Sequence, residues 1–502
     1  MAIAELDDHP SVDLLVIGGG INGAGIARDA AGRGLSVILC EKDDLAAHTS
    51  SASTKLIHGG LRYLEQFEFR LVREALRERE VLLRAAPHII WPLRFVLPHD
   101  HAMRPRWMLR AGLALYDALG GSHRSLPRSR AIRLDRPPHR AALQGRLKRG
   151  FEYADCWVED ARLVVLTAMD ARARGARVLT CTECLVLDRR TDHWRATLRG
   201  HDGDRVVLAK AIVNAAGPWV DRVAGLALGQ GTQPHLRLVK GSHIIVPRSF
   251  AGEHAYILQQ PDKRIVFAIP YERDFTLIGT TDEGFAGDPD EVAISDAEID
   301  YLVAAVGRSF RSGVSRDEIV STYSGVRPLY EDRARRNSTV TRDYVFDLDA
   351  TGGAPILSVY GGKITTFRRL AEYALTRLQR HMPMGPAWTR DAPLPGGEMA
   401  DFAAFLWDAS ARWPWLPPEL LLRLARAYGT RIDQIVGPAT SLEELGPMVA
   451  GNLSEAELRY LVSQEWALTA QDVLWRRSKL GLHLGPSATD AVEAWLARNP
   501  PA

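Results

Sequence analysis

The feature that most constrains this chain is Gly18-Gly19-Gly20, which abruptly ends the apolar run Val12–Ile17. A helical pattern follows from Asn22 to Arg33, with Ile26 and Ala30 on one face. Gly34 stops it, and a second short apolar run, Ser36–Cys40, comes next. This is a complete β-α-β unit in about 30 residues, and Gly18-x-Gly20-x-x-Gly23 falls at its strand-to-helix turn. The first glycine permits the tight turn, the second lets the backbone approach a pyrophosphate, and the third allows close helix–strand packing. The helix N-terminus itself favours negative charge. Glu41, 23 residues after Gly18 at the end of the second run, can accept hydrogen bonds from a ribose diol. This frame predicts a bound dinucleotide, and by itself does not separate FAD from NAD. The loop Thr49-Ser-Ser-Ala-Ser-Thr-Lys55 offers hydroxyls for a phosphate or ribityl chain; a solvated polar loop is the ordinary alternative.

Length and charge bound the rest. At 502 residues, 46% hydrophobic and 25% charged, the chain suggests two to four folded domains with a large core. A net charge of +2 argues against a dedicated nucleic-acid partner. The charge is unevenly placed: Arg104–Arg149 holds twelve Lys/Arg against Asp117 and Asp135, a local +10 that leaves −8 for the remainder. Inside that segment Arg106–Leu119 reads as a helix carrying Trp107, Met108, Leu109, Leu113, Leu115 and Tyr116, flanked by Arg104, Arg106 and Arg110. Such a helix can lie in an anionic membrane surface. The alternative is a core helix followed by a solvated Arg-rich loop. MAIAELDDHP lacks the basic and apolar regions of a signal peptide, and no run of about 18 apolar residues occurs, so any membrane contact is expected to be peripheral. The four cysteines are too few for a disulfide framework. Cys181 and Cys184 form a CxxC inside a strand-like run, Arg177–Leu187, with no second pair nearby; they read as small buried apolar residues, and no metal is expected.

Elsewhere, a helix is expected over about Phe67–Ala86, with Leu71, Ala75, Leu76, Leu82 and Leu83 as its apolar stripe. Strand-like runs at Ala255–Leu258, Arg264–Ile269 and Phe275–Gly279 suggest a mixed or antiparallel sheet. Pro355–Gly362 reads as a strand entering a glycine turn before a helix from about Thr365 to His381. After Pro386 the periodicity is helical, seven of the twelve tryptophans lie between Trp388 and Trp495, and Ser441/Glu444 and Ser454/Glu457 have capping-box spacing. Pro393-Leu-Pro-Gly-Gly397 is a candidate linker, and no chemistry-bearing motif stands in this part.

Beyond these patterns, GGGINGAGIARDAAGRGLSV and SSASTKLIHGGLRYLE closely resemble the aerobic, FAD-dependent glycerol-3-phosphate dehydrogenases, within the D-amino-acid-oxidase-like flavoproteins. So do FEYADCWVEDARLV, NAAGPWV, LVKGSHIIVP, IGTTD, YSGVRPL, SVYGGKITTFRRLAE, GPAWT and DVLWRRSKLGL, in order along nearly the whole chain. The resemblance implies an α/β fold: a Rossmann-like FAD-binding domain with a mixed-sheet substrate cap, interleaved over residues 1–387, and a C-terminal all-helical domain over 388–502. It implies oxidation of sn-glycerol 3-phosphate to dihydroxyacetone phosphate, with electrons passing from FAD to ubiquinone or menaquinone. It also implies a homodimer bound peripherally to the inner, cytoplasmic face of the cell membrane. An oxidase returning electrons to oxygen and a non-catalytic flavin-binding membrane adaptor are the competing readings.

The motif positions give the expected site. Gly18, Gly20, Asn22, Gly23, Glu41, Lys42, Thr49, Ser50, Ser51, Gly217, Gly362, Lys363, Ile364 and Thr365 are the cofactor candidates. Arg62, Tyr63, Arg327 and Lys363 are the substrate-binding candidates, because paired guanidinium donors and an ammonium suit a phosphate. Arg327 and Lys363 are also expected at the reacting centre. His243 is the candidate general base, since neutral imidazole is available near pH 7, with Arg327 or a bound water as rivals. Thr280, Thr281 and Asp282 fall near the site without an assigned role, and Asn214–Gly217 is expected to be a strand and turn beside the cofactor.

Overall fold

The β-α-β unit forms as strand β1 (Ser11–Ile17), helix α1 (Ile21–Gly32) and strand β2 (Val37–Cys40). The computed structural model describes residues 10–100, 104–121, 125–229, 236–330 and 344–500. In it β1 is the middle of a parallel core, flanked by β2 and by Gly203–Asn214, with Ile17 in register with both Cys40 and Asn214. Ile356–Tyr360 continues the parallel order beyond Gly203–Asn214, and Arg177–Leu179 continues it beyond β2. Three antiparallel strands complete this eight-stranded sheet. Its central strands are buried on both faces, which is why β2 reads as an unbroken apolar run.

The chain leaves this sheet twice to build a second one. Residues 56–158 and 236–330 supply ten strands, all antiparallel except for one parallel pairing, His254–Gln259 with Ile90–His99. The three strands read from the middle of the sequence form here as His254–Gln259, Ile265–Tyr271 and Phe275–Gly279, and Ser321–Tyr330 pairs along Leu236–Pro247. The sheet is therefore mixed, as expected. The long helix forms as α2 (Phe69–Ala85) and the basic amphipathic one as α3 (Arg106–Leu119). The stretch after α3 is more ordered than a solvated loop: Arg130–Arg133 is an edge strand on Arg149–Val158, and His139–Ala142 is one helical turn.

One expected strand is two. Arg177–Leu179 ends against β2, Cys181 takes φ +48, and Glu183–Arg189 turns away to pair with Trp194–Gly200. The break is held by the loop after β2, whose Glu41 and Asp43 carbonyls accept from Thr182 N and Cys181 N at 2.7 and 2.9 Å. The CxxC thus straddles a turn, and all four cysteines are free. Burial pushes the Cys181 and Cys184 thiols up to about 11 and about 12, so neither is a thiolate at neutral pH.

The C-terminal part is helical (Phe402–Arg412, Pro418–Tyr428, Glu455–Glu465, Ser487–Arg498) apart from one small hairpin, Met448–Ala450 with Leu453–Ser454. Ser454 caps its helix by accepting from Glu457 N, whereas the Glu457 carboxylate does not return but pairs with Arg423 and Tyr428. Ser441/Glu444 starts no helix: Glu444 accepts from Thr440 N beside a single 3-10 turn, Glu443–Leu445. This part shares one apolar core with the first sheet, since Leu424, Tyr428 and Val473 pack in the same cluster as Ile26, Leu163 and Phe367.

Candidate active site

The parallel strands end at one edge of the first sheet, and the loops leaving them converge there, as the topology requires. Gly18 has φ +107, and a Cβ on it would lie 2.5 Å from the Ala215 carbonyl oxygen. A Cβ on Gly23 would lie 1.8 Å from the Gly18 oxygen. These two contacts draw α1 against β1 and its neighbour. The start of α1 carries no acidic residue in its first turn, so its amide groups and dipole are unopposed toward an anion. Ser50 Oγ accepts from Ile21 N at 3.0 Å and ties the next loop to this helix start.

A long cavity runs from there between the two sheets. At one end Glu41 accepts from Gly19 N at 2.7 Å and from Asp43 N at 3.0 Å, while burial raises its pKa. Lys42 Nζ lies 4.6 Å over the Trp219 ring and pairs with Asp43 and Asp290. At the other end stand His58, Tyr63, Thr280, Arg327 and the turn Gly361–Thr365, with Asn22 Nδ2 donating to the Gly361 carbonyl at 3.1 Å. Lys363 Nζ sits 3.9 Å over the Tyr63 ring. Arg327 donates to Asp282 at 3.2 Å and to Thr280 Oγ1 at 3.3 Å. Its guanidinium lies where a side chain on Gly241 would be, 2.5 Å from that glycine's Cβ position.

Most expected residues therefore share one cavity. Gly18, Gly20, Asn22, Glu41, Lys42, Thr49, Ser50, Gly217, Gly362, Lys363, Ile364, Thr365, Tyr63 and Arg327 line it. Gly23 and Ser51 do not. Gly23 serves packing, and Ser51 faces its own loop, with Oγ on the His48 carbonyl and its own carbonyl accepting from Lys55 Nζ. Arg62 lies on the 3-10 helix Leu61–Gln66, and its side chain is outside the described part of the structure.

His243 is one layer back from the wall. It is 1% exposed, its ring stacks on Tyr323 at 4.6 Å, and its Nε2 meets Thr54 Oγ1 at 3.0 Å; Thr54 is the residue that lines the cavity. Burial, then the charges of Arg327 and Lys55, hold the imidazole well below its ordinary pKa. Thr54 is held from both sides. Ser53 Oγ donates to Asp160 at 2.8 Å, and Lys55 Nζ donates to the same carboxylate at 2.7 Å, with both ions fully buried. Thr54, Trp219 and Gly241 are site residues that sequence reasoning missed. Thr54 belonged to the hydroxyl-rich loop already marked out, but only the fold shows which hydroxyl of that loop faces His243.

Residues 13–368 match the family of FAD dependent oxidoreductases, and residues 387–498 match the C-terminal domain of alpha-glycerophosphate oxidase. The chain belongs to the FAD-dependent oxidoreductase family. It is 54% identical over 479 residues to a glycerol-3-phosphate dehydrogenase of Pseudomonas aeruginosa, covering 95% of this chain and 93% of that one. It is 53% identical over 488 residues to a D-erythritol 1-phosphate dehydrogenase of Brucella abortus, covering 96% and 97%. The structure is also similar to that of the glycerol-3-phosphate dehydrogenase from Bacillus halodurans complexed with FAD, with a TM-score of 0.78, 28% identity and coverage of 97% and 90%.

FAD fits the residues present. The glycine cradle and acid-free helix start suit its pyrophosphate, and Glu41 keeps lone pairs for a ribose diol. Asn22 Oδ1, buried at the cavity wall without a partner among the described residues, is an acceptor that a ligand donor would satisfy.

Proposed function

We propose that this flavoenzyme oxidises sn-glycerol 3-phosphate at C2 to dihydroxyacetone phosphate and delivers the electrons to ubiquinone or menaquinone. The observation that carries the reading is Arg327 and Lys363 at the far end of the cofactor cavity, beside Tyr63 and Thr54, in a chain with these relatives. Bound FAD supplies the acceptor for the hydride leaving C2. The protein does the remainder. Arg327 and Lys363 hold the phosphate and fix C2, and they offset negative charge developing on the substrate oxygen. The C2 hydroxyl proton passes to Thr54 Oγ1 while Thr54 gives its own proton to His243 Nε2, so His243 acts as base through a hydroxyl.

A base with so low a pKa stays unprotonated as the pH falls through 6.5. The account therefore expects kcat to change less than about twofold between pH 7.5 and pH 6, where an unperturbed His (about 6.5) would be mostly protonated. A kcat acid limb centred near 6.5 that His243→Asn abolishes would contradict this.

One feature supports a membrane-bound setting. Helix α3 buries Leu113 and Tyr116 but leaves Trp107 71%, Met108 44% and Leu115 40% exposed, and Phe67, just past the adjoining 3-10 helix, and Phe69, at the start of α2, are exposed too. Among the described residues no helix is long and apolar enough to cross a membrane. We read α3 and its arginines as a peripheral anchor on the cytoplasmic face of the cell membrane, carried by a homodimer. Each basic residue near anionic lipid contributes roughly 1 kcal/mol. Replacing Arg104, Arg106 and Arg110 by Gln should weaken cosedimentation with anionic vesicles about tenfold or more and leave dye-coupled activity intact. Unchanged sedimentation would refute the anchor.

D-erythritol 1-phosphate is the second substrate reading, because the 53% identity with that dehydrogenase matches the 54% with the other. Assaying glycerol 3-phosphate, D-erythritol 1-phosphate and glycerol, with quinone reduction and peroxide followed together, separates the readings. Glycerol 3-phosphate should give the highest kcat/KM, with quinone reduced and little peroxide. A higher kcat/KM for the tetritol phosphate would reassign the substrate. Stoichiometric peroxide would make the enzyme an oxidase, and no turnover at all would leave the adaptor reading.

A further inference from the structure

None of the described residues of the helical part lines the cavity, yet one of its turns reaches into the cofactor domain. Asp44, three residues beyond Glu41, is 7% exposed, and Arg477 meets it with two parallel hydrogen bonds of 2.7 and 2.8 Å. Arg476 Nε donates to the same carboxylate. Both arginines end the π-turn Asp472–Arg477, whose start is fixed by Asp472 accepting from Leu468 N and Thr469 N.

Arg477 is 1% exposed and also donates twice to the Glu465 carbonyl, so it cannot swing away. The Glu465 carboxylate in turn pairs bidentately with Arg162, on the helix Asp160–Ala173 of the first-sheet body. Burial alone would raise the Asp44 pKa, but Arg477 and Arg476 outweigh it and hold the carboxyl below the usual range. The buried series Asp44, Arg477, Glu465, Arg162 alternates in sign and crosses between the two bodies twice. Buried ion pairs are poor sources of net stability, because desolvation cancels most of their attraction. What this one does is fix a position.

The position fixed is the cavity wall. Asp44 lies between Glu41, which holds Gly19 N, and Ala46–Ser50, which line the cavity and end on the Ile21 amide at the start of α1. Leu45 is fully buried and Ala46 has φ +62, so the loop is bent tightly around this anchor. None of Asp44, Arg476 or Arg477 lines the cavity.

We propose that the helical domain is a cofactor brace: Arg477 and Arg476 hold Asp44, and through it the Glu41–Ser50 wall, in the shape that retains FAD. They are positioning residues. The inference rests on FAD binding in this cavity and not on the substrate, and its test reads FAD release alone.

The experiment uses the full-length holoenzyme. FAD appearing in an ultrafiltrate is followed over time for wild type, Arg477→Met, Arg476→Gln and Arg423→Met. The last breaks a different pair, Arg423 with the buried Glu457, inside the helical domain. The brace predicts FAD release at least tenfold faster in Arg477→Met and severalfold faster in Arg476→Gln, with wild-type release in Arg423→Met. Excess FAD should restore the visible flavin spectrum of the bound form. Should Arg477→Met fail to fold, the milder Arg476→Gln decides. Wild-type release from folded Arg476→Gln or Arg477→Met overturns the proposal. So does equal acceleration in Arg423→Met, which would mark general loosening of the domain.

Discussion

The site depends on one close approach, that of the turn after β1 to the backbone at Ala215. With a Cβ position 2.5 Å from the Ala215 oxygen, residue 18 can only be glycine, and the turn it makes sets the start of α1 at the edge where β1, β2 and Gly203–Asn214 all end. Because Ile17, Cys40 and Asn214 are in register, and Asn214 is in register with Ser358, the loops leaving these strands are delivered to the same place. One brings Glu41 and Ser50, one brings Gly217 and Trp219, and the extension of the sheet brings Gly361–Thr365. An anion-accepting helix start, an acid and a polar turn are brought together by that register.

The second sheet closes the cavity and supplies what the first lacks. Its strands carry Arg327 and His243, Thr280 directly follows Phe275–Gly279, and its leading loop presents Thr54 between two anchors on Asp160. The division is architectural: the first sheet brings the glycine turn, Glu41 and the Gly361–Thr365 turn to the cavity, and the second brings Arg327 and, behind Thr54, His243. Burial disfavours charge at both ends. It raises the pKa of Glu41 and keeps His243 neutral, so both are shaped by desolvation before any substrate arrives.

Local pattern made much of this legible. The fingerprint glycines, Glu41, the Arg106–Leu119 helix and the strand entering Gly361–Gly362 are each specified by a few neighbouring residues, and each forms as expected. What stayed hidden depends on distant partners. Arg177–Leu187 looks like one strand because its apolar content is continuous, but the loop after β2 captures Thr182 and Cys181 and breaks it. His243 has the residue type of a base, yet its distance from the cavity is set by the stack on Tyr323 and by Thr54, 189 positions earlier in the chain. Arg476 and Arg477 belong to DVLWRRSKLGL, which carries the family resemblance but no sign of a chemical role, and their partner Asp44 is more than 400 residues away. No pattern within a helix or strand encodes such a pairing.

The central claim is that the C2–H bond of glycerol 3-phosphate is broken by hydride transfer in this cavity. Anaerobic rapid mixing with the substrate deuterated at C2, at C1 or not at all tests it most directly, by the rate at which the flavin colour bleaches. The account predicts bleaching that is slowed severalfold by deuterium at C2 and unaffected by deuterium at C1. Absence of bleaching, or an isotope effect confined to C1, would contradict it.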